Sequence, residues 1–170
     1  MAFTIKASLD KAAAKNIANK LEDLKRPMDS ASARQLGKDV VAEMKALISK
    51  GISPLRGEGR FPSYKNPKDG YPASVRHKYP DKRTTPVNLY LTGKFLAALK
   101  SKVTTIKNSY AIEVGFFDSK EAIKEQGHRE GANTQPKRPI IPNSGEQFAQ
   151  RIQDIILKTV RDVVAKIIKQ

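Results

Sequence analysis

One segment of the chain, residues 51–88, excludes regular secondary structure from the middle of the sequence. Its 38 residues hold six of the ten prolines and four of the ten glycines. Proline cannot donate a backbone hydrogen bond and glycine weakens helices and strands, so neither element continues through this spacing. We therefore expect a long loop or arm, inserted in a single domain formed by residues 1–170.

Positive charge is concentrated in the same region. The chain has a net charge of +15, and residues 50–83 carry nine basic against three acidic residues, a local net of +6. Three tyrosines and one phenylalanine are interleaved with them. The candidate residues for contact with a partner or with DNA are Arg56, Arg60, Lys65, Lys68, Arg76, Lys78, Lys82 and Arg83.

The charge alone leaves several interpretations open, of which one is simply that the lysines keep the protein soluble. Interleaved Arg, Lys and Tyr residues could neutralise phosphates and stack on bases, as in sequence-nonspecific nucleic-acid binding. A Pro-rich charged loop could also grip a neighbouring protein, because 38 residues fully stretched span on the order of 120 Å. The chain has no helix-turn-helix, zinc-finger or RNA-recognition signature, so we favour the protein partner.

Helices are predicted before the loop. Apolar residues recur every three or four positions over residues 8–25, and Pro27 ends this stripe. A second stripe predicts a helix over residues 32–50, followed by Gly51 where a left-handed residue commonly ends a helix. The short connection between them predicts an antiparallel helical hairpin.

A mixed pattern follows the loop. Thr92 is expected to cap a short helix that ends near residue 102. Residues 103–106 and 110–116 predict a β-hairpin, because apolar residues alternate along the second strand. A short helix over residues 119–126 and an irregular segment over residues 127–142 complete this part.

The C-terminal segment has the clearest helical pattern. Ser144 and Gln147 have the spacing of a capping box, and an apolar stripe then continues for more than twenty residues. The predicted fold class is therefore α+β, with a small antiparallel sheet packed against the helical hairpin and the long C-terminal helix.

Catalytic and metal chemistry find little support in the sequence. The chain has no Cys and two His residues, so cysteine-ligated metal sites and thiolate nucleophiles are excluded. His128 with Glu125 and Glu130 is better explained as three polar surface residues than as a metal site. No phosphate-binding loop or nucleophile elbow occurs, and no apolar run reaches the length of a membrane span. We expect no enzymatic activity, no cofactor, no metal and no membrane contact.

Residues 89–169 carry short motifs in a fixed order. A Leu-x-x-Thr-Gly stretch occupies residues 89–93, a Val-Gly step ends the hairpin at Gly115, an Ala-to-Gly element ends at Gly127, and a Pro-x-Arg-Pro turn precedes the last helix. In order and spacing the region resembles the tail-completion, head-to-tail joining and virion-morphogenesis (minor tail or neck) proteins of tailed bacteriophages. The family-motif and interface positions that the resemblance implies are Leu91, Thr92, Gly93, Gly115, Gly127, Pro136, Arg138 and Pro139.

The resemblance implies a structural virion protein, assembled in the host cytoplasm into a ring, expected to be a hexamer, at the neck or the top of the tail. Its implied partners are further copies of itself, head-to-tail adaptor or portal-side proteins, a tail terminator or tail tube protein, and packaged DNA in the channel. Within the Pro-x-Arg-Pro turn we expect Arg138 to be a buried or interface anchor. Its guanidinium can bind a carboxylate or several carbonyls through two N–H groups at once.

Overall fold

A computed structural model describes residues 28–63, 86–89, 92–106, 109–131 and 136–169 of the chain. Within these ranges it has four helices and one two-stranded antiparallel sheet, which confirms the predicted α+β class. In chain order they are α1 (Ser30–Ser49), α2 (Lys94–Ala98), β1 (Leu99–Ile106), β2 (Ser109–Phe116), α3 (Ser119–Glu130) and α4 (Gln150–Lys169).

Helix α1 lies at the centre of the described fold. The Asp29 carboxylate accepts a hydrogen bond of 2.6 Å from the amide of Ser32 and so caps the helix. Gly51 follows the helix with φ of +73°, as the sequence predicts. One face of the helix forms most of the core, through Ala33, Leu36, Val40, Val41, Met44, Leu47 and Ile48.

The sheet packs against α1 through a very close approach. Gly37 faces Ser101 of β1 and Ile112 of β2, and a Cβ at Gly37 would lie 2.8 Å from the Cβ of Ser101. Helix α4 packs on α1 in the antiparallel direction, because Arg151 pairs with Glu43 at 3.4 Å near one end. The hydrogen bonds from Ser32 hold the pKa of the Asp29 carboxyl below its usual value, and Lys166 of α4 adds a smaller effect in the same direction.

The β-hairpin is longer than predicted, and the helix before it is shorter. Strand β1 begins at Leu99, which is fully buried and pairs with Phe116, so the segment assigned to the end of α2 belongs to the sheet. Thr92 does not cap α2. The cap position is Gly93, which adopts φ of +77° and makes no side-chain cap bond.

Helix α3 also exceeds its prediction, continuing through Gly127 to Glu130. Asp118 caps its start by accepting hydrogen bonds from two backbone amides, and Gly131 ends it at φ of +71°. The first residues of the segment predicted to be irregular are therefore helical. Phe95 of α2 links this helix to the sheet, because its ring stacks on Phe116 at 4.6 Å and lies 5.4 Å from the ring of His128.

The long C-terminal helix is confirmed, but the predicted capping box is wrong. Helix α4 starts at Gln150. Just before it, Gln147 and Ala149 form backbone hydrogen bonds with Arg56 and Pro54. These bonds keep residues 147–149 extended, so Ser144 cannot cap a helix there. Residues 143–146 instead form a turn, closed by a bond of 3.0 Å from the Glu146 amide to the Asn143 carbonyl.

Two further predictions fall outside the described residues. They are the helix over residues 8–25, with the hairpin it would form, and residues 64–85 of the loop. In the part of the chain that is described, no helix has the length and apolar character required to cross a membrane.

The contrast between Gly37 and Gly127 gives a matched test of the packing. Both are helical glycines, but a methyl group at Gly127 would meet nothing within 4 Å. We expect Gly37→Ala to destabilise the protein by about 1–3 kcal/mol, since Ser101 Cβ belongs to a fixed strand and cannot rotate away. Gly127→Ala should stabilise it by about 0.5–1 kcal/mol. Urea unfolding of both variants measures the difference, and equal effects would contradict the close contact.

Candidate partner-binding loop and its anchor

The first thirteen residues of the predicted loop are folded, contrary to the expectation of an irregular segment. Ile52 pairs with Arg60 in an antiparallel bridge. The amide of Phe61 donates to the Gly51 carbonyl at 2.8 Å, and the amide of Ser53 donates to the Gly59 carbonyl at the same distance. Residues 51–61 therefore form a small turn that doubles back on itself, with Phe61 buried in the core.

This turn is joined to the segment before α4. Leu55 bridges to Phe148, while the Arg56 amide donates to the Gln147 carbonyl at 2.8 Å. The Arg56 side chain reinforces the pairing through a bond of 2.9 Å from Nη1 to Oε1 of Gln147. No local pattern predicts this pairing, because its two partners are about ninety residues apart and neither segment has the alternating pattern of a strand.

Arg138 holds the point at which the loop leaves the fold. Its side chain is fully buried, and Nε and Nη2 both donate to the Pro62 carbonyl, at 3.0 and 2.9 Å. A buried guanidinium is tolerated only when its N–H groups are bonded, and a charged donor makes these bonds stronger than neutral ones. Of the two positions expected for Arg138, the structure therefore has it in the interior.

The neighbours of Arg138 fix it from both sides. Its backbone amide donates to the His128 carbonyl of α3 at 2.6 Å. The next carbonyl, that of Pro139, accepts a bond of 2.9 Å from the buried hydroxyl of Ser53. The Pro-x-Arg-Pro turn thus connects α3 to the stem of the loop, and we call Ser53, Pro62, Arg138 and Pro139 the loop anchor.

The loop returns to the fold at the place where it left. Val87 and Asn88 are buried, and a Cβ on Gly51 would lie 2.5 Å from the Cβ of Pro86. Gly51 therefore contacts both stems, since it also binds Phe61. With both ends fixed together, the 22 residues between the stems can extend no more than about 35 Å from the fold, much less than the 120 Å of a free arm.

The basic residues of the loop are divided between the folded stem and the segment beyond it. Arg56 and Arg60 are exposed on the stem, and the Arg56 guanidinium binds Gln147. Lys65, Lys68, Arg76, Lys78, Lys82 and Arg83 lie outside the described residues. With two acidic residues, they give residues 64–85 a net charge of +4. Their contact with a partner or with DNA stays a prediction.

The backbone requires glycine at only some of the family-motif positions 93, 115 and 127. Gly93 has a positive φ, a conformation that side chains disfavour. At Gly115 and Gly127 a Cβ would meet nothing within 4 Å, so the described fold does not require glycine there. Leu91 lies outside the described residues, Thr92 is exposed, and Pro136 is half-buried beside the loop anchor.

A charged network holds the segment between the anchor and α4. Arg129 of α3 contacts Glu146 at 3.0 Å and Glu125 at 3.6 Å. Glu146 also accepts a bond of 2.7 Å from the Asn143 amide, and Glu125 accepts one of 3.3 Å from the Ile141 amide. Glu125 thus binds an arginine and a backbone amide, and no cluster of three or more metal-binding side chains occurs among the described residues.

An open groove lies between the stem of the loop and this segment. It has a volume of about 340 Å³ and is lined by Leu55, Arg56, Glu58, Gly145, Glu146 and Gln147. Its charges are of both signs, Arg56 binds Gln147, and Glu146 binds Arg129 and Asn143 outside the groove, so the lining has no convergent set of groups for catalysis.

No protein family matches the chain, and neither a curated protein nor a solved structure is similar enough to count as a match. The resemblance to phage tail-completion proteins therefore stays a prediction from the motifs in the sequence.

The loop anchor makes a direct prediction about Arg138. We expect Arg138→Met to lower the free energy of unfolding by about 2–4 kcal/mol, because the Pro62 carbonyl loses both charged donors and the stem of the loop loses its bond to the interior. Arg138→Lys should recover only part of this, since an ammonium cannot present the same two N–H groups. The adjacent exposed Lys137→Ala is the matched control and should change stability by less than about 0.5 kcal/mol. Urea unfolding tests all three, and an Arg138→Met variant as stable as the control would contradict the anchor.

The Glu146 network predicts a pH-dependent local contact. The amide of Asn143, followed by the Arg129 side chain, holds the pKa of Glu146 below its usual 4.5. Ionised Glu146 therefore stabilises the turn above pH 4.5, and this stabilisation is lost as the pH falls through the lowered pKa of the folded state. The NMR shift of the Asn143 amide should titrate with a midpoint below 4.5 and stop titrating in Glu146→Gln. A midpoint at or above 4.5 would contradict the network.

Proposed function

We propose that the protein is a structural component of a tailed-phage virion. In this proposal it forms a ring at the neck or the top of the tail, completes the tail and joins it to the head, and residues 64–85 contact the neighbouring subunit or ring. The observation that carries the proposal is the fixation of both loop stems against Gly51 and Arg138 in the interior.

Fixed stems suit a loop that binds a protein partner. Binding must offset the conformational entropy that a loop loses, and this loss is smaller when both ends are held beforehand. A ring repeats one interface around its symmetry axis, so a modest contact from each loop is multiplied by the number of subunits. A reach of about 35 Å is sufficient to contact an adjacent subunit of this size.

The motif resemblance and the anchor fall on the same residues. The Pro-x-Arg-Pro turn, one of the closer matches to the phage family, is the element that binds Pro62 and Ser53. A role in holding a partner-binding loop gives that turn a physical function without any catalytic chemistry. This coincidence supports the proposal from a second direction.

Nucleic-acid binding is the alternative, favoured by the net charge of +4 over residues 64–85. Four substitutions in the loop, Arg76→Ser, Lys78→Ser, Lys82→Ser and Arg83→Ser, separate the two functions. The matched control removes four exposed cations from helices, through Arg34→Ser, Lys38→Ser, Lys158→Ser and Arg161→Ser. Both variants lose the same net charge, so any difference between them is specific to the loop.

Two measurements on these variants test the proposal. In fluorescence anisotropy with a 30-base-pair duplex, we expect the loop variant and the control to differ by less than about twofold at every salt concentration. In lysates of infected or induced cells, antibody labelling should locate the unmodified chain at the neck of joined particles, and the loop variant should leave heads and tails separate. DNA affinity that falls steeply with salt and is lost only in the loop variant would overturn the proposal that the loop binds a protein partner. A chain absent from particles would overturn the virion function.

A further inference from the structure

The two-stranded sheet has a free outer edge on each strand. Among the described residues β1 pairs only with β2, so each strand has one neighbour. The ladder closes on Ile106 and Ser109, and at this short separation in sequence the pair exchanges both of its backbone hydrogen bonds. Every second residue from that pair bonds across the hairpin, and the residues between them direct their N–H and C=O groups away from it.

Six residues carry these outward backbone groups. They are Ser101, Val103 and Thr105 on β1, and Tyr110, Ile112 and Val114 on β2. No backbone hydrogen bond joins any of the six to a described residue outside the hairpin. Strand β1 is exposed from Thr104 to Ile106, and Ile106 is 52% exposed. Unpaired N–H and C=O groups along an accessible edge are a template for a strand of another chain.

The two edges carry charges of opposite sign. Lys100 and Lys102 are exposed on β1, and burial, followed by the charge of Lys100, lowers the pKa of Lys45 on the adjacent α1. Strand β2 has an exposed Glu113 and contains no Lys, Arg or Pro. The ion pairs between described residues involve none of these four side chains, so their charges are available to a partner.

These charges favour one of the three ways in which copies of the chain could join their edges. Pairing β1 with β1 would bring the lysines of two copies together, and pairing β2 with β2 would do the same for Glu113. Like charges on neighbouring strands destabilise a pair, and opposite charges stabilise it. Pairing β1 of one copy with β2 of another joins opposite charges and leaves each copy with one free edge at either side.

We propose that β1 of one subunit pairs antiparallel with β2 of the next subunit, so that the hairpins form a continuous sheet around the ring. A further copy of the chain occupies each edge, because both strands are eight residues long and each supplies the charge that the other lacks. This inference rests on the proposed ring, since a head-to-tail contact between identical subunits closes into a ring when the rotation between them allows it. In the register of the hairpin itself, Val103 lies opposite Ile112 of the next subunit and Lys102 opposite Glu113.

The absence of cysteine from the chain makes a cross-linking test clean. In the proposed register, residue 104 of one subunit faces residue 111 of the next as a non-hydrogen-bonded pair, with Cα atoms about 4.5 Å apart, a separation that a disulfide spans. The test mixes full-length Thr104→Cys, carrying a tag, with full-length Ala111→Cys. Each chain has a single cysteine, so no disulfide forms within a chain. The control mixture replaces Ala111→Cys with Lys158→Cys, an exposed position on α4.

We expect the test mixture to form the tagged and untagged heterodimer at least about tenfold faster than the control mixture, since a disulfide requires Cβ atoms about 4 Å apart. Equal rates, or no cross-link in the test mixture, would overturn the proposal. Cross-linking of Thr104→Cys alone as fast as in the mixture would assign β1 to a two-fold pair and would overturn it too.

Reversal of the edge charges tests why these two edges meet. Lys102→Glu in the Thr104→Cys chain should slow the cross-link about twofold to fivefold, because it places two carboxylates on facing strands. Glu113→Lys in the Ala111→Cys chain should restore the rate. A cross-linking rate that neither substitution changes would contradict the selection of the edges by charge.

Antibody labelling of particles separates this inference from the proposed function. A chain that is labelled at the neck of joined particles but gives no cross-link between residues 104 and 111 would overturn the edge pairing alone. A cross-link in the purified protein together with a chain absent from particles would keep the pairing and overturn the virion function.

Discussion

The bond between the buried Arg138 guanidinium and the Pro62 carbonyl determines how the rest of the structure is arranged. A guanidinium in the interior has lost its water and must find oxygen acceptors there. Pro62 supplies one carbonyl that accepts from two N–H groups, so the stem of the loop is drawn to the Arg138 turn. The Ser53 hydroxyl adds a neutral bond to Pro139. Elements far apart in sequence thus converge on one buried charge.

The convergence changes what the basic loop can do. A segment attached at one end can reach partners far from its domain. A loop attached at both ends can contact only the surface close to its two stems. The close approach of Gly51 to Pro86 leaves no room for a side chain between the two stems, since the nearest atoms there are backbone and ring atoms. Under the proposed function, this geometry favours a partner that lies against the subunit, such as the next subunit in a ring, over one that must be captured at a distance.

Local patterns predicted the helices and strands well, and long-range pairing explains most of the errors. The stripe of α1 and the left-handed Gly51 depend on neighbouring residues alone, so sequence periodicity was sufficient. The start of α4 was wrong because Gln147 and Ala149 bind Arg56 and Pro54, a pairing that leaves no mark on the sequence. Leu99 lies in the sheet and not in the predicted helix for the same reason, since its position depends on pairing with Phe116, which no local pattern indicates.

In the candidate site, too, local features could be predicted from the sequence and long-range contacts could not. The Pro-x-Arg-Pro turn is visible in the sequence, and the ability of arginine to bind carbonyls predicts an anchor at Arg138. Its acceptor was not foreseeable, because a carbonyl is present at every residue and only the fold selects the one at Pro62. The network of Glu125, Arg129 and Glu146 was missed for a different reason: charged residues on helix surfaces are common, and most of them form no lasting pair.

The two surfaces of the molecule call for different partners. The loop is basic and polar, so its contacts depend on charge and weaken with salt. Helix α4 also carries an aliphatic row of Leu157, Val160, Val164 and Ile168, and the packing of such a row responds little to salt. A row of four aliphatic residues on a single helix is too small to hold two proteins together stably, because specific interfaces bury about 800 Å² on each partner. Of these two surfaces, the basic loop is the one through which the proposed assembly would form.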